Sequence, residues 1–361
     1  MLPAMIAFIG TYAPADQNGI FVCSLDMSTG ELRQISAVRG VGNPSFLAVH
    51  PDGRHLYAVA EIGDFNNQQT GGVAAFAIDP ESAALEFVNA QPSGGRGPCH
   101  ISIHPNGRYA FAANYGGGSV SILPINEDGS LGPPSDFVQH AGSSVNPNRQ
   151  QAPHAHSINI HPNGRFAYAA DLGLDKILIY SINLEYGKIP PNDPPYAETR
   201  PGAGPRHFAF RPDGAFAYVI NELDSTLNAF RVDAESGALA LLQTIDTVPS
   251  GFDGTNYTAE VRVAPNGRFV YGSNRGHNSV AVYRIDDEKG TVQLVEHEST
   301  RGDTPRNFGI DPTGQFLIAA NQNSDDLYSF RIDPQTGELT PTGSSLNIPK
   351  PVCVQFLQLS D

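Results

Sequence analysis

A four-residue turn of the form X-Pro-X-Gly recurs six times, and nothing else in the chain constrains its fold so strongly. The copies are His50-Pro51-Asp52-Gly53, His104-Pro105-Asn106-Gly107, His161-Pro162-Asn163-Gly164, Arg211-Pro212-Asp213-Gly214, Ala264-Pro265-Asn266-Gly267 and Asp311-Pro312-Thr313-Gly314. Their prolines lie 54, 57, 50, 53 and 47 residues apart. Proline presets φ at the second turn position, and glycine accepts the positive φ near the end. Each copy therefore reads as a hairpin turn.

The flanks repeat as well. A short alternating strand precedes each turn, as in Phe46 to His50, Ile101 to His104 and Phe208 to Arg211. An apolar strand with an aromatic or branched residue at a fixed place follows, as in Leu56-Tyr57-Ala58-Val59 and Phe166-Ala167-Tyr168-Ala169. A third, alternating strand comes next (Val73 to Asp79, Val120 to Asn126, Ile177 to Asn183), and a more polar fourth strand ends each unit. Four antiparallel strands per repeat of about fifty residues is the propeller pattern. With 37 glycines and 29 prolines, the chain is built for tight turns.

Six turns predict seven blades, because the ends supply another. Met5 to Tyr12, Ile20 to Asp26 and Leu32 to Arg39 resemble the second, third and fourth strands of a repeat. The missing first strand matches Pro351 to Phe356 at the other end. The expected fold is an all-β, seven-bladed propeller forming a single domain over residues 1–361. Its C-terminal strand pairs with the N-terminal strands, which removes exposed sheet edges. The apolar segment 1–10 reads as strand, since it lacks the basic start and cleavage site of a leader. Tryptophan is absent and the period is too long for WD40 blades.

Composition narrows the partners. Lys and Arg number 22 against 37 Asp and Glu, a net charge of −15. No basic surface is available for nucleic acid or an anionic membrane. No apolar run approaches the ~20 residues that span a bilayer. Three cysteines without a CxxC pair give no disulfide framework and no zinc ribbon, which fits a reducing, cytoplasmic setting. An acidic protein that binds an anion must place arginines locally, so each arginine at a candidate site counts.

A meander fixes which end of the blade each residue serves. The turns join strands one and two at one face. The start of strand one and the end of strand two then meet at the opposite face, beside the axis. Polar residues gather there. Six residues before each proline stand Ser45, Cys99, His156, Arg206, Ala259 and Arg306, followed by Phe46, His100, Ser157, His207, Glu260 and Asn307. At the end of strand two stand Glu61, Asn114, Asp171, Asn221, Asn274 and Asn321, with Glu222 and Arg275 just after. Turn-capping accounts for much of the Asn column. It accounts poorly for Arg206, Glu222, His156 and Arg275, because charged groups near a channel cost desolvation unless paired or used.

The longest irregular stretch, His140 to His156, connects two blades at this same face and is expected to form a rim or lid. His154 and His156 are spaced to face one side of a strand, and zinc would need a third ligand such as His100 or His207. The surrounding arginines oppose a cation, so no metal is expected. There is no nucleophile elbow, P-loop or dinucleotide fingerprint, and no cofactor is expected.

The set Ser144-Val145-Asn146-Pro147, Arg149-Gln150, Pro153-His154-Ala155-His156-Ser157, Gly204-Pro205-Arg206-His207, Asn221-Glu222-Leu223, Ser273 to Ser279 and Pro305-Arg306-Asn307-Phe308 resembles the lactonase family of seven-bladed propellers. That family contains bacterial 6-phosphogluconolactonases and fungal carboxymuconate lactonizing enzymes. The resemblance covers essentially the whole chain. It implies an active site of His156 (or His154), Arg206, Glu222 and Arg275, with a small anionic lactone as substrate.

Lactone hydrolysis needs an activated water, a stabilised oxyanion and a proton for the leaving alkoxide. Histidine suits the proton work, which favours His156. Arg206 is expected to stabilise the oxyanion, and its removal to stop turnover while leaving the fold intact. Arg275, with Arg149 or Arg306, is expected to hold a phosphate or carboxylate, and His154, His207 and Asn274 complete the substrate contacts. Glu222, flanked by arginines, is expected to orient rather than act as base. Three functions stay open: hydrolysis of 6-phosphogluconolactone or another sugar lactone, carboxymuconate cycloisomerisation, and a non-enzymatic binding propeller. The last predicts an apolar patch at the candidate face, where the residues are instead charged and small.

Overall fold

The computed structural model describes residues 5–359. The expected strand at 1–10 therefore begins at Met5, and its first four residues lie outside the described part. Among the described residues there is no helix, and so none long and apolar enough to cross a membrane. Twenty-eight strands form seven four-stranded antiparallel sheets. Six blades are continuous, spanning residues 47–92, 98–139, 155–198, 205–246, 257–299 and 305–347. The remaining blade joins residues 5–39 to the C-terminal strand Pro351–Gln358, which pairs with Met5–Thr11 in the register Phe8↔Gln355, Ile9↔Val354. The first strands of successive blades touch in ring order and enclose the axis. This is the seven-bladed propeller that the repeat requires.

Two sets of hydrogen bonds tie neighbouring blades together along the six continuous ones. The turn histidines reach forward to the carbonyl of the following turn glycine: His50 Nε2 to Gly107 O at 2.8 Å, His104 to Gly164 at 2.9 Å, His161 to Gly214 at 3.0 Å. The fixed tyrosine of strand two does the same at the outer hairpins. Tyr57, Tyr168, Tyr218 and Tyr271 donate to the carbonyls of Gly129, Gly237, Gly290 and Gly337 at 2.8 to 3.1 Å. These glycines sit at positive φ, and at Gly290 a Cβ would come within 2.0 Å of the Phe216 ring. Glycine there serves both the turn and the packing between blades. The three cysteines are buried and free.

One irregularity positions the functional face. In six blades the first strand carries one extra residue, and in four of these the slip falls between Pro98 and His100, Ala155 and Ser157, Pro205 and His207, and Pro305 and Asn307. The unpaired residues in these four are Cys99, His156, Arg206 and Arg306. A regular strand sends neighbours to opposite faces, whereas a bulge re-aims one side chain. Both Arg206 and His207 can thus face the axis. There Phe46, His100, His207 and His156 pack ring against ring, with centroids 4.3 to 5.6 Å apart. They plug the channel and separate a pocket on one side from a chamber of about 500 Å³ on the turn side.

Tyr168→Phe should lower the unfolding free energy by about 1 kcal/mol, the usual net value of one such hydrogen bond. Adding Tyr271→Phe, two blades away, should roughly double the loss. Urea denaturation of the single and double variants measures this, and unchanged midpoints would show that these hydroxyls do not brace the ring.

Candidate active site

Glu222 is the centre of the site. It follows the second strand of its blade, Phe216–Asn221, and its side chain is almost wholly buried. Three arginines converge on it, Arg149 from an inter-blade loop and Arg206 and Arg275 from strands of two neighbouring blades. Arg149 Nη2 donates to Oε1 at 2.6 Å, Arg206 Nε donates to Oε2 at 2.9 Å, and Arg275 Nη2 lies 3.0 Å from Oε2. His156 Nε2 stands 3.9 Å from the same oxygen. Burial alone would raise the Glu222 carboxyl, but the charges of Arg275, Arg206 and Arg149 hold it well below the usual carboxylate range. It stays ionised and is a poor base.

The arginines differ in what they have left to give. Arg206 is buried, and its other bond goes to the Ala259 carbonyl at 2.7 Å. Arg275 donates to the Thr258 carbonyl at 2.8 Å. Burial, then the neighbouring Arg206 and Arg306 charges, outweigh Glu222 and bring Arg275 down to about 9. Arg306 makes no hydrogen bond among the described residues. Its guanidinium lies 5.3 Å from the centroid of the Tyr12 ring. Arg149 arrives on the loop between blades, pinned where Gln150 Nε2 donates to the Leu172 carbonyl and Ser144 Oγ bonds Asp175 Oδ2. His140, at the start of that stretch, is locked between Asp171 and Tyr180.

Together Glu61, Cys99, Tyr115, Arg149, His156, Glu222, Tyr257, Arg275 and Arg306 line one pocket of about 280 Å³. It lies at the face opposite the X-Pro-X-Gly turns. Below it a void about the size of one water reaches Arg206, His207 and Asn307. Counted formally, four guanidinium groups face two carboxylates, a local excess of positive charge in a protein of net charge −15. Burial, followed by the Arg206, His207 and Arg306 charges and environments, pushes His156 well below the normal histidine range, so its ring is neutral.

The structure thus brings His156, Glu222, Arg275, Arg149 and Arg306 to one pocket and places the remaining expected residues elsewhere. Arg206 sits beneath it, holding Glu222. His207 is deeper in the axis, with Nδ1 3.2 Å from Glu260 Oε1. His154 stacks on Tyr115 at 4.5 Å and donates from Nδ1 to the Tyr115 carbonyl, so it props the pocket wall rather than facing it. Asn274 does not reach the pocket at all. Its amide donates to the Thr247 carbonyl and accepts from Thr247 and Asn256, the turn-capping role of its column. Sequence reasoning passed over Glu61, Tyr115 and Tyr257. A signal existed for two of them: Glu61 is, with Asp171, one of the two acidic members of the Asn column, and Tyr115 occupies the position of Glu222 and Arg275 in its own blade.

The fold and site are those of a closed propeller with an arginine-rich pocket built around a clamped carboxylate. The family model described as "Lactonase, 7-bladed beta-propeller" matches residues 6–356, and the chain belongs to this family of lactonases. It is 36% identical over 352 residues to the 6-phosphogluconolactonase of Bacillus subtilis, covering 98% of both chains. It is 34% identical over 310 residues to the 6-phosphogluconolactonase of Formosa agariphila, covering 85% of this chain and 86% of the relative. The solved structure of the periplasmic gluconolactonase of Pseudomonas aeruginosa superposes with a TM-score of 0.92 at 34% identity, covering 99% of each chain.

Two outcomes follow from the burial. Removing Arg206 breaks a buried ion pair, so Arg206→Ala should cost roughly 3 kcal/mol of stability, the low end for such a loss because Arg149 and Arg275 still neutralise Glu222. The expectation of an intact, merely inactive variant is revised accordingly; a thermal melt equal to wild type would restore it. Acid should also destabilise the fold. His207 is brought down to about 4, by burial first and the Arg206 charge, against the opposing pull of Glu260. The unfolded state takes its proton near 6.5, so this stability is complete above about 6.5 and is lost as pH falls towards 4. The window amounts to roughly 3 kcal/mol at 1.36 kcal/mol per pH unit. His207→Gln should show a shallower decline in melting temperature between pH 7 and 4.5.

Proposed function

We propose that this protein hydrolyses a sugar lactone, with 6-phosphogluconolactone as its first candidate, in the pocket over the propeller axis. One observation carries the reading: among the described residues the Arg306 guanidinium has no hydrogen-bond partner, beside a neutral His156 and a carboxylate already saturated by arginines. An unsatisfied guanidinium in a pocket is a seat for a phosphate or carboxylate. The names of the Bacillus and Formosa relatives support a phosphorylated lactone, and that of the Pseudomonas structure supports gluconolactone itself. The corresponding step would open the lactone of the oxidative pentose phosphate pathway. Free, buried cysteines suit the cytoplasm, and the ring over the described residues 5–359 is read as one domain.

In this reading Arg306, with Arg149, holds the anionic tail. Glu222 fixes Arg149 and Arg275 in place. His156 takes a proton from water as the oxygen attacks the lactone carbonyl. Arg275 stabilises the oxyanion. The ring C–O bond then breaks, and the imidazolium returns its proton to the departing alkoxide.

The decisive assay follows loss of 6-phosphogluconolactone, glucono-1,5-lactone and carboxymuconolactone side by side. The phosphorylated sugar lactone should give the highest kcat/KM. Arg306→Ala should lose 10- to 150-fold, the value of about 1.5–3 kcal/mol for charged hydrogen bonds. Turnover of none of the three would overturn the reading in favour of a binding protein. Because His156 works as the neutral ring, kcat/KM should show no acid limb near pH 6.5 and should fall only well below it.

A further inference from the structure

Glu61 is the second carboxylate of the pocket, and the clamp around Glu222 makes no use of it. It stands at the end of a second strand, His55–Ala60, on the blade next to the ring closure. Its Oε2 accepts from Tyr12 Oη at 3.0 Å and from Ser45 Oγ, which fixes the side chain. Its Oε1 accepts no hydrogen bond among the described residues, and the side chain lines the pocket with Arg306, Arg149 and His156. No guanidinium nitrogen lies within 4.0 Å of it among the described residues, whereas Glu222 has three.

A carboxylate placed this way has a cost. Beside a seat for an anion it repels the ligand's own charge. Its charge does act on Arg306, but charge balance alone does not account for its placement, because no guanidinium closes on it as three do on Glu222. An ionised carboxylate can only accept hydrogen bonds. Its open oxygen therefore fits a substrate that brings donors, and the donors of a neutral ring are hydroxyl groups. A polycarboxylate lactone without hydroxyls would meet repulsion and nothing in return.

Resting on the lactonase reading, we infer that Glu61 is a specificity-determining residue: its free oxygen accepts ring hydroxyls and selects polyhydroxylated lactones over hydroxyl-free, carboxylated ones. Tyr12 and Ser45 are its positioning residues. Discrimination arises as in other sites built to pair a substrate hydroxyl, where the analogue lacking it leaves a buried polar group unmatched.

The test compares wild type, Glu61→Gln and Glu61→Leu on two probes: glucono-1,5-lactone, and a δ-lactone bearing one carboxylate and no hydroxyl. Glu61→Gln keeps the shape but exchanges a charged acceptor for a neutral one. It should lose about 10-fold in kcat/KM on the hydroxylated probe, and Glu61→Leu more, mainly through KM. On the hydroxyl-free probe both variants should be unchanged or faster, and melting temperatures confirm folded protein. Equal losses on both probes, or none on either, would overturn the assignment while leaving the lactonase reading in place. A wild type inactive on every lactone removes that reading and this assignment with it.

Discussion

Every feature of the site depends on closing a ring of sheets. Each blade is a four-stranded meander whose outermost strand faces solvent and whose first strand faces the axis. Seven such sheets have no free inner edge only if the last blade is completed. Here strand Pro351–Gln358 pairs with Met5–Thr11 and joins the two chain ends in one sheet. That pairing is the clasp. It brings Tyr12, which follows the N-terminal strand, against Glu61 of the next blade and the Arg306 ring contact of the last. A pocket wall is thus assembled from residues nearly three hundred positions apart, by backbone pairing rather than by the site itself.

The ring is a set of equal repeats, and the site is where the repeats differ. Tyrosine and histidine bridges recur from blade to blade and carry the mechanical load. The axial face instead carries different residues in equivalent positions, so one pocket combines several chemistries. Its cost is electrostatic. Four guanidinium groups crowd together, and Glu222 makes the crowding tolerable by taking three of them at short range. The same clamp removes Glu222 from proton chemistry, since neighbouring positive charge keeps it ionised. The stabilising and catalytic duties of acidic groups are therefore divided. Glu222 organises cations, and in the proposed reading Glu61 is left for the ligand and the neutral His156 ring for protons.

Blade number and closure were both legible in the sequence, because turn chemistry and period-two alternation are local properties. The polar columns were legible for the same reason. The columns could not say which members meet. Asn274 and Glu61 occupy the same column, yet one caps a turn and the other opens onto the pocket. Arg206 and Arg306 occupy another, yet one is buried beneath Glu222 and the other is free. His154 and His156 lie two residues apart, where a regular strand would face them together. The bulge at His156 separates them and leaves His154 stacked on Tyr115.

What the sequence alone determined is the scaffold: seven repeats, the split blade, and an axial end rich in arginine, histidine and carboxylates in an acidic chain. What the tertiary structure decided is the aim of each side chain. A bulge is defined by how two strands pair, and a pocket by which blades stand side by side. Neither is encoded within a window of neighbouring residues, so the convergence of three arginines on Glu222, and the open oxygen of Glu61, emerge only when the ring closes.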